Sequence, residues 1–221
     1  MKRPNLKEEK KLWKKGLKVV AGLDEVGRGC LAGPVVAVAT VIDPRTNFKK
    51  WKSLLQKVND SKKLTPEKRE KVFEMIQSAP FLFWAVGRVS PKVIDKINIL
   101  EATKLAMKKA IKNLKAKINS DVDFLILDGN FKLNTKIPQK SIIKADEKVF
   151  SCAISSIIAK VKRDELMKKY AKIYPQFCFE KHKGYPTSLH LKMVQKYGVC
   201  KIHRKSFGPI KKYVAKNNFF C

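Results

Sequence analysis

Apolar residues in this chain follow two rhythms. Short charge-free runs alternate with longer stretches in which apolar positions recur every three or four residues. Val19, Val20, Ala21 and Leu23 form the first short run and residues 35–39 the second. Runs of this length bounded by Gly, Pro and Asp predict strands. Pro34 opens the second strand where a missing N–H is tolerable, and Asp43 and Pro44 close it. Residues 81–89, FLFWAVGRV, predict a third strand. Residues 123–128, DFLILD, hold a short continuous apolar run ending in an acid, as suits a strand covered on both faces in a parallel sheet. Residues 141–144, SIIK, repeat that pattern briefly. The helical rhythm starts at Thr65, a capping residue followed by Pro66 at the first helical position, with Val72, Phe73 and Ile76 as the apolar side. After Ser90 and Pro91, the positions Ile97, Leu100, Met107, Ile111, Leu114 and Ile118 describe one buried stripe, with a single seven-residue gap. Ala102, Ala106 and Ala110 add a row of small residues for close packing. A second long helix is predicted over about residues 148–170; its first half carries Cys152, Ala153, Ser155, Ser156 and Ala159. A further helix covers residues 189–197.

This alternation predicts an α/β domain, a mixed central sheet flanked by helices. No repeat or low-complexity linker divides it. Residues 18–221 read as one domain with a helical C-terminal region, and residues 1–17 as a basic arm, frayed or helical. With 221 residues and 44% hydrophobic content the chain can bury one substantial core. Lys and Arg number 49 against 19 Asp and Glu, a formal net charge of +30. That balance favours a polyanionic partner, nucleic acid or an anionic membrane. No apolar run spans a bilayer, and the first 18 residues lack the apolar core and cleavage site of a secretory signal. Five cysteines, an odd number without a CxxC spacing, indicate neither a disulfide framework nor a structural zinc site; a reducing cytosol is the simplest inference. P-loop and HExxH patterns are absent. His182, His190 and His203 are widely spaced and read as surface or hydrogen-bonded histidines.

In so basic a chain the position of each acid carries information. Asp24 and Glu25 follow the first apolar run, Asp128 ends the buried one, and Asp146 lies just beyond residues 141–144. The carboxyl end of a buried strand is where open α/β sheets bind ligands. Adjacent strand residues face opposite ways, so the first strand is expected to stop at Asp24 and Glu25 if both serve one centre. Gathered carboxylates raise one another's pKa unless a cation sits among them, and hard oxygen ligands suit Mg²⁺ or Mn²⁺. Two such ions about 3.5–4 Å apart would hold the attacking and leaving oxygens of an in-line displacement at phosphorus. Gly27 and Gly29 permit a sharp turn whose N–H groups can approach a phosphate, and Arg28 offers a planar cation to phosphate oxygens.

Residues 24–29, DEVGRG, followed by residues 31–36, LAGPVV, resemble the opening motif of type 2 ribonuclease H, specifically the bacterial ribonuclease HII family. The resemblance runs from about residue 20 to about residue 214 and takes in DSKKL, NILEAT, SSIIAK and KGYPT. It implies a ribonuclease H fold and an endonuclease that hydrolyses RNA in RNA–DNA hybrids. Such an enzyme also nicks duplex DNA at an embedded ribonucleotide, leaving a 3′-hydroxyl and a 5′-phosphate. By the same resemblance Asp24, Glu25, Asp128 and Asp146 are the catalytic and metal-binding acids, with two divalent cations, Mg²⁺ or Mn²⁺. Gly27, Arg28 and Gly29 match the loop that reads the ribose 2′-hydroxyl and flanking phosphates, which is the local difference between RNA and DNA. Tyr185 matches the tyrosine that stacks at the RNA–DNA junction, and Lys62 a position near the substrate. Ser156, Lys160, Arg163 and Asp164 match further motif positions, structural or in contact with the backbone.

Departures from the pattern are Ala145, where the family often has glycine, and Ile154 and Ser155, where it often has alanine. Only 23 residues precede Asp24, which fits type 2 better than type 3 enzymes with their long N-terminal extension. The expected partners are RNA–DNA hybrid and ribonucleotide-containing duplex, with no membrane. Phe219 and Phe220 could touch a sliding clamp, though the usual glutamine-containing spacing is missing. A cytoplasmic monomer is expected. Two alternatives stay open on charge and fold alone: a non-catalytic basic nucleic-acid binder, or another nuclease or strand-transfer enzyme on a related fold.

Overall fold

The computed structural model describes residues 3–58 and 64–216. Five strands form one sheet: Val20–Val26 (β1), Val35–Ile42 (β2), Leu82–Val89 (β3), Phe124–Asp128 (β4) and Gln139–Ile142 (β5), in the order β3-β2-β1-β4-β5. β1 and β2 pair antiparallel, as do β2 and β3, while β1–β4 and β4–β5 are parallel. Among the described residues the helices are Lys7–Trp13 (α1), Lys52–Lys57 (α2), Pro66–Gln77 (α3), Pro91–Ile118 (α4), Phe150–Ile173 (α5), Phe179–His182 (α6), Ser188–Tyr197 (α7) and Gly208–Lys216 (α8). The mixed sheet expected from the alternation of runs is present, and every residue of β2 is buried.

Strand alternation divides the core between the two faces. Leu23, Ala37, Ala39, Leu125 and Leu127 face α4 and meet Ala102, Ala106, Met107, Ala110 and Leu114. Val38, Ile42 and Leu82 face the other way and pack on Ile154, Ile157 and Ile158 of α5 and on Val72, Phe73 and Ile76 of α3. Thr65 caps α3 as expected, its Oγ1 accepting from the Lys68 N–H, with Pro66 at the first position. The arm contributes α1, whose buried Glu9 accepts hydrogen bonds from Ser151 N and Oγ, both at 2.8 Å, at the start of α5.

Four local readings change. The alanine row makes the close contact expected of it, and Met107, Ile111 and Leu114 of the apolar stripe are buried, but Leu100 is not. Gly87 of β3 leaves no room for a Cβ against the Ala106 carbonyl. α4 is interrupted at Asn98 (φ 63°), whose Oδ1 accepts from the N–H groups of Leu100 and Glu101 and so caps the second segment. β5 occupies residues 139–142 rather than 141–144, since Lys144 turns left-handed (φ 57°) and Ile143 faces solvent. β1 runs on to Val26 instead of stopping at the two acids.

Candidate active site

Two parallel strands bring the first two acids together. Leu23 pairs with Leu127, so the next residues, Asp24 and Asp128, sit side by side at the carboxyl ends of β1 and β4. Both lie on the α5 side, opposite to Leu23 and Leu127. Asp146 arrives from the turn Ala145–Glu147 between β5 and α5. Asp24, Asp128 and Asp146 each offer a carboxylate oxygen within 4.8 Å of the others'. Asp24 and Asp146 are buried and Asp128 is half-buried.

The chain orients these carboxylates. Asp24 Oδ1 accepts from the Glu25 N–H at 2.7 Å, and Ser156 of α5 donates to the same side chain. Asp128 Oδ1 accepts from the Ala145 N–H at 2.6 Å, which ties the end of β4 to the turn carrying Asp146. Burial first, then the charges of Glu25, Asp128 and Asp146, pushes the Asp24 carboxyl well above its ordinary range. Hard oxygen donors whose charged form is disfavoured in this way are a donor set that a divalent cation stabilises.

Glu25 stands apart from the three. Because β1 continues past it, its side chain leaves from the α4 side of the sheet, and its Oε1 lies 3.2 Å from Arg28 Nη1. Its charge is still felt at Asp24.

Beyond β1 the chain turns at Gly27, where φ is +92° and a Cβ would strike the Arg163 side chain. Arg28 and Gly29 are exposed, and Arg28 lies over the Phe131 ring at 6.0 Å. The C-terminal helices close around this loop. Leu31 and Ala32 pack with Met167, Phe177, Phe179, Val194, Ile202 and Ile210. Leu31 N–H donates to the Gly184 carbonyl at 2.8 Å, and Gly33 N–H to Ile202 at 2.8 Å. Gly184 (φ +84°) has the Ala32 carbonyl where a Cβ would sit. Tyr185, next in the KGYPT turn, is thereby set beside the glycine loop. It is about one-third exposed, hydrogen-bonded to Cys30, and flanked by Lys160 and Arg163 at 5.6 and 5.8 Å from its ring.

Of the other motif positions, Lys160 pairs with Asp164 at 2.9 Å, and Asp164 also faces Arg69 at 3.9 Å. Arg163 is fully buried and donates to the carbonyls of Pro34, Lys183 and Ala32. Lys62, Phe219 and Phe220 lie outside the described residues. Sequence reasoning missed Arg204, also fully buried, which donates to Gly27, Arg28 and Gly33. It also missed the joining of the three histidines, the rings of His182 and His190 being stacked at 4.2 Å. Neither had a signal in residue spacing.

Comparison with known proteins agrees with this geometry. The family model described as Ribonuclease HII matches residues 21–209. The chain is 49% identical over 190 residues to the ribonuclease HII of Pelodictyon phaeoclathratiforme, covering 86% of this chain and 89% of the relative. It is 48% identical over 206 residues to that of Chlamydia caviae, covering 93% and 92%. The crystal structure of ribonuclease H2 from Pyrococcus horikoshii superposes with a TM-score of 0.70 at 29% identity, covering 90% of this chain and 99% of that one. With three acids converging at the ends of adjacent parallel strands and the match running through nearly the whole domain, the chain belongs to the ribonuclease HII family.

Proposed function

We propose that Asp24, Asp128 and Asp146 are the acids on which this enzyme's phosphodiester chemistry rests, with Glu25 completing the set. The activity comes with the family: a type 2 ribonuclease H, an endonuclease that cleaves RNA within RNA–DNA hybrids. Family members work with divalent metal ions. Two ions, Mg²⁺ or Mn²⁺, are proposed here; when bound they would supply the nucleophilic oxygen and stabilise charge on the leaving oxygen of an in-line displacement. The observation that carries the assignment is the meeting of three carboxylate oxygens within 4.8 Å on a scaffold that fixes Asp24 and Asp128 by backbone N–H donors.

The remaining roles are divided by position. Asp24 and Asp128 hold the end of the sheet open to a phosphodiester. Asp146, at the start of the turn into α5, closes the third side. Gly27, Arg28 and Gly29 lie one turn beyond Asp24 and are assigned to the ribose 2′-hydroxyl and flanking phosphates. Tyr185 is assigned to stacking at the junction, supported by its partly exposed ring beside the same loop. Lys62 remains a proposed substrate contact on its motif alone. One chain supplies all four acids, so a monomer suffices. The four described cysteines are free thiols, as fits a cytoplasmic enzyme. A clamp contact at Phe219 and Phe220 is a further proposal, tested by deleting them and measuring clamp binding.

The test is cleavage of a duplex bearing one ribonucleotide, with Mg²⁺ or Mn²⁺. Asp24→Asn and Asp128→Asn are each expected to lower kcat/KM at least about a hundredfold. Wild-type rates in either variant would remove that residue from the mechanism. Arg28→Ala and Tyr185→Ala are expected to weaken the preference for a ribonucleotide over an all-DNA duplex; unaltered preference would refute their assignment.

A further inference from the structure

The glycine loop is held from beneath by a side chain that comes from the far end of the chain. Arg204 lies between α7 and α8 and is fully buried. Its guanidinium donates through Nη2 to the Gly27 carbonyl at 2.6 Å, through Nη1 to Arg28 at 2.9 Å, and through Nε and Nη2 to Gly33 at 3.0 and 2.9 Å. No carboxylate forms an ion pair with it among the described residues. Its own backbone is locked to the same loop, for Arg204 N–H donates to Leu31 at 2.8 Å and Ala32 bridges to His203. Asp95 of α4 secures the next two residues, accepting from Lys205 N, Ser206 N and Ser206 Oγ at 3.0, 2.9 and 2.6 Å.

The direction of these bonds matters. No peptide bond among the described residues is cis. In a planar trans peptide the carbonyl and the N–H of one unit point opposite ways. The unit joining Gly27 to Arg28 turns its carbonyl down to Arg204, so the Arg28 N–H points away from the protein. The unit joining Arg28 to Gly29 does the same with the Gly29 N–H. Both residues are exposed, and neither N–H has a protein acceptor among the described residues. Two adjacent outward donors form an anion- or hydroxyl-binding edge.

We propose that Arg204 is the positioning residue for ribose discrimination: by gathering the Gly27, Arg28 and Gly33 carbonyls beneath the loop, it holds the Arg28 and Gly29 N–H groups outward as a rigid pair that reads the 2′-hydroxyl and adjacent phosphate. This rests on the loop's assignment above. Arginine is required because only its flat fork of five donors serves three carbonyls at once; lysine has one compact head. Arg163 supports the other limb of the loop, from Ala32 to Pro34. Burial pulls the Arg204 pKa down to about 10, which leaves it charged at neutral pH.

The experiment measures KM and kcat on a duplex with one ribonucleotide and Ki for the same duplex made entirely of DNA. Arg204→Lys is expected to raise KM about tenfold, leave kcat within about threefold, and leave Ki unchanged, so that discrimination falls about tenfold. A folded Arg204→Lys with a lowered melting temperature and unchanged Ki/KM would overturn the proposal, since the arginine would then be structural only. If that variant does not fold, Asp95→Asn, which frees the segment bearing Arg204 without touching the loop, is expected to lower Ki/KM about threefold; an unchanged ratio would overturn the proposal. Failure of the underlying reading shows in a different place, as a wild-type enzyme with no preference for the ribonucleotide.

Discussion

The three histidines give a prediction that can be worked through from hydrogen bonds. His190 Nδ1 faces the Tyr185 carbonyl at 2.9 Å and must donate, which makes its Nε2 an acceptor. That Nε2 lies 3.0 Å from His203 Nε2, which must therefore carry the proton. His203 Nδ1 is left to accept from the Cys200 N–H at 2.9 Å. His182 is satisfied in the same way, donating to Phe177 at 2.7 Å and accepting from Gly184 at 3.1 Å. Every ring nitrogen is used, and each ring is neutral. A further proton on His190 or His203 would set one N–H against another. Burial accordingly brings His190 down to about 4 and His203 to about 3, from 6.5.

Both pKa values are depressed in the folded state, so the unfolded chain takes up protons first. The stabilisation is fully present above about pH 6.5 and is lost as pH falls toward 4 to 3. At pH 5 each histidine costs roughly 2 kcal/mol, about 1.5 pH units at 1.36 kcal/mol each, and the pair roughly 4 kcal/mol. That is a large share of a domain's usual 5–15 kcal/mol or so. The assay is urea unfolding followed by tryptophan fluorescence at pH 7 and pH 5, on wild type and on the double variant His190→Gln, His203→Gln. Carboxylate titration is common to both proteins and cancels. The stability gap between them is expected to shrink by roughly 4 kcal/mol from pH 7 to pH 5. A gap that does not change with pH would refute the neutral, proton-ordered chain of rings.

Three further outcomes are expected. Mg²⁺ or Mn²⁺ should raise the melting temperature of the wild type, by about 2.7 kcal/mol of stability at a hundred times Kd, and should do so much less in Asp128→Asn, as read by differential scanning fluorimetry. Gly87→Ala should destabilise by about 1–3 kcal/mol in chemical unfolding, because the new Cβ meets the Ala106 carbonyl of α4 rather than a movable side chain. Glu9→Ala should cost about 2–3 kcal/mol by the same measurement, since Ser151 N–H and Oγ both lose their acceptor in a buried place; a neutral result would mean that α1 is dispensable.

Much of the sheet was legible because its strands are buried on both faces, so apolar runs such as residues 35–39 and 124–127 stand without interruption. What escaped were features set by close approach. Leu100 looks like a core residue by spacing, yet it is exposed, and the closest approach of α4 to β3 is made by Ala106 against Gly87. The break at Asn98 escaped because NILEAT holds no glycine or proline; the asparagine terminates one helical segment and caps the next with its own side chain.

The acids were legible because they are rare among 49 basic residues and fall at the ends of apolar runs. Their convergence was not contained in spacing: it needed the parallel register that sets Leu23 beside Leu127. The same register shows why separation along the chain is a poor guide to which acids meet. Asp24 lies beside Asp128, 104 positions away, while its neighbour Glu25 leaves the strand one step on, pairs with Arg28 and acts on Asp24 through its charge. The basic residues present the converse problem. The net charge of +30 directs attention to the surface, where most of the lysines are, but surface charge can attract nucleic acid without deciding where it is cut. Arg163 and Arg204 are withdrawn from that surface and spend their donors on carbonyls of the loop beside the acids. Composition counts these two with the other cations, and only the fold separates them, by burying both and turning their donors onto the carbonyls of residues 27–34.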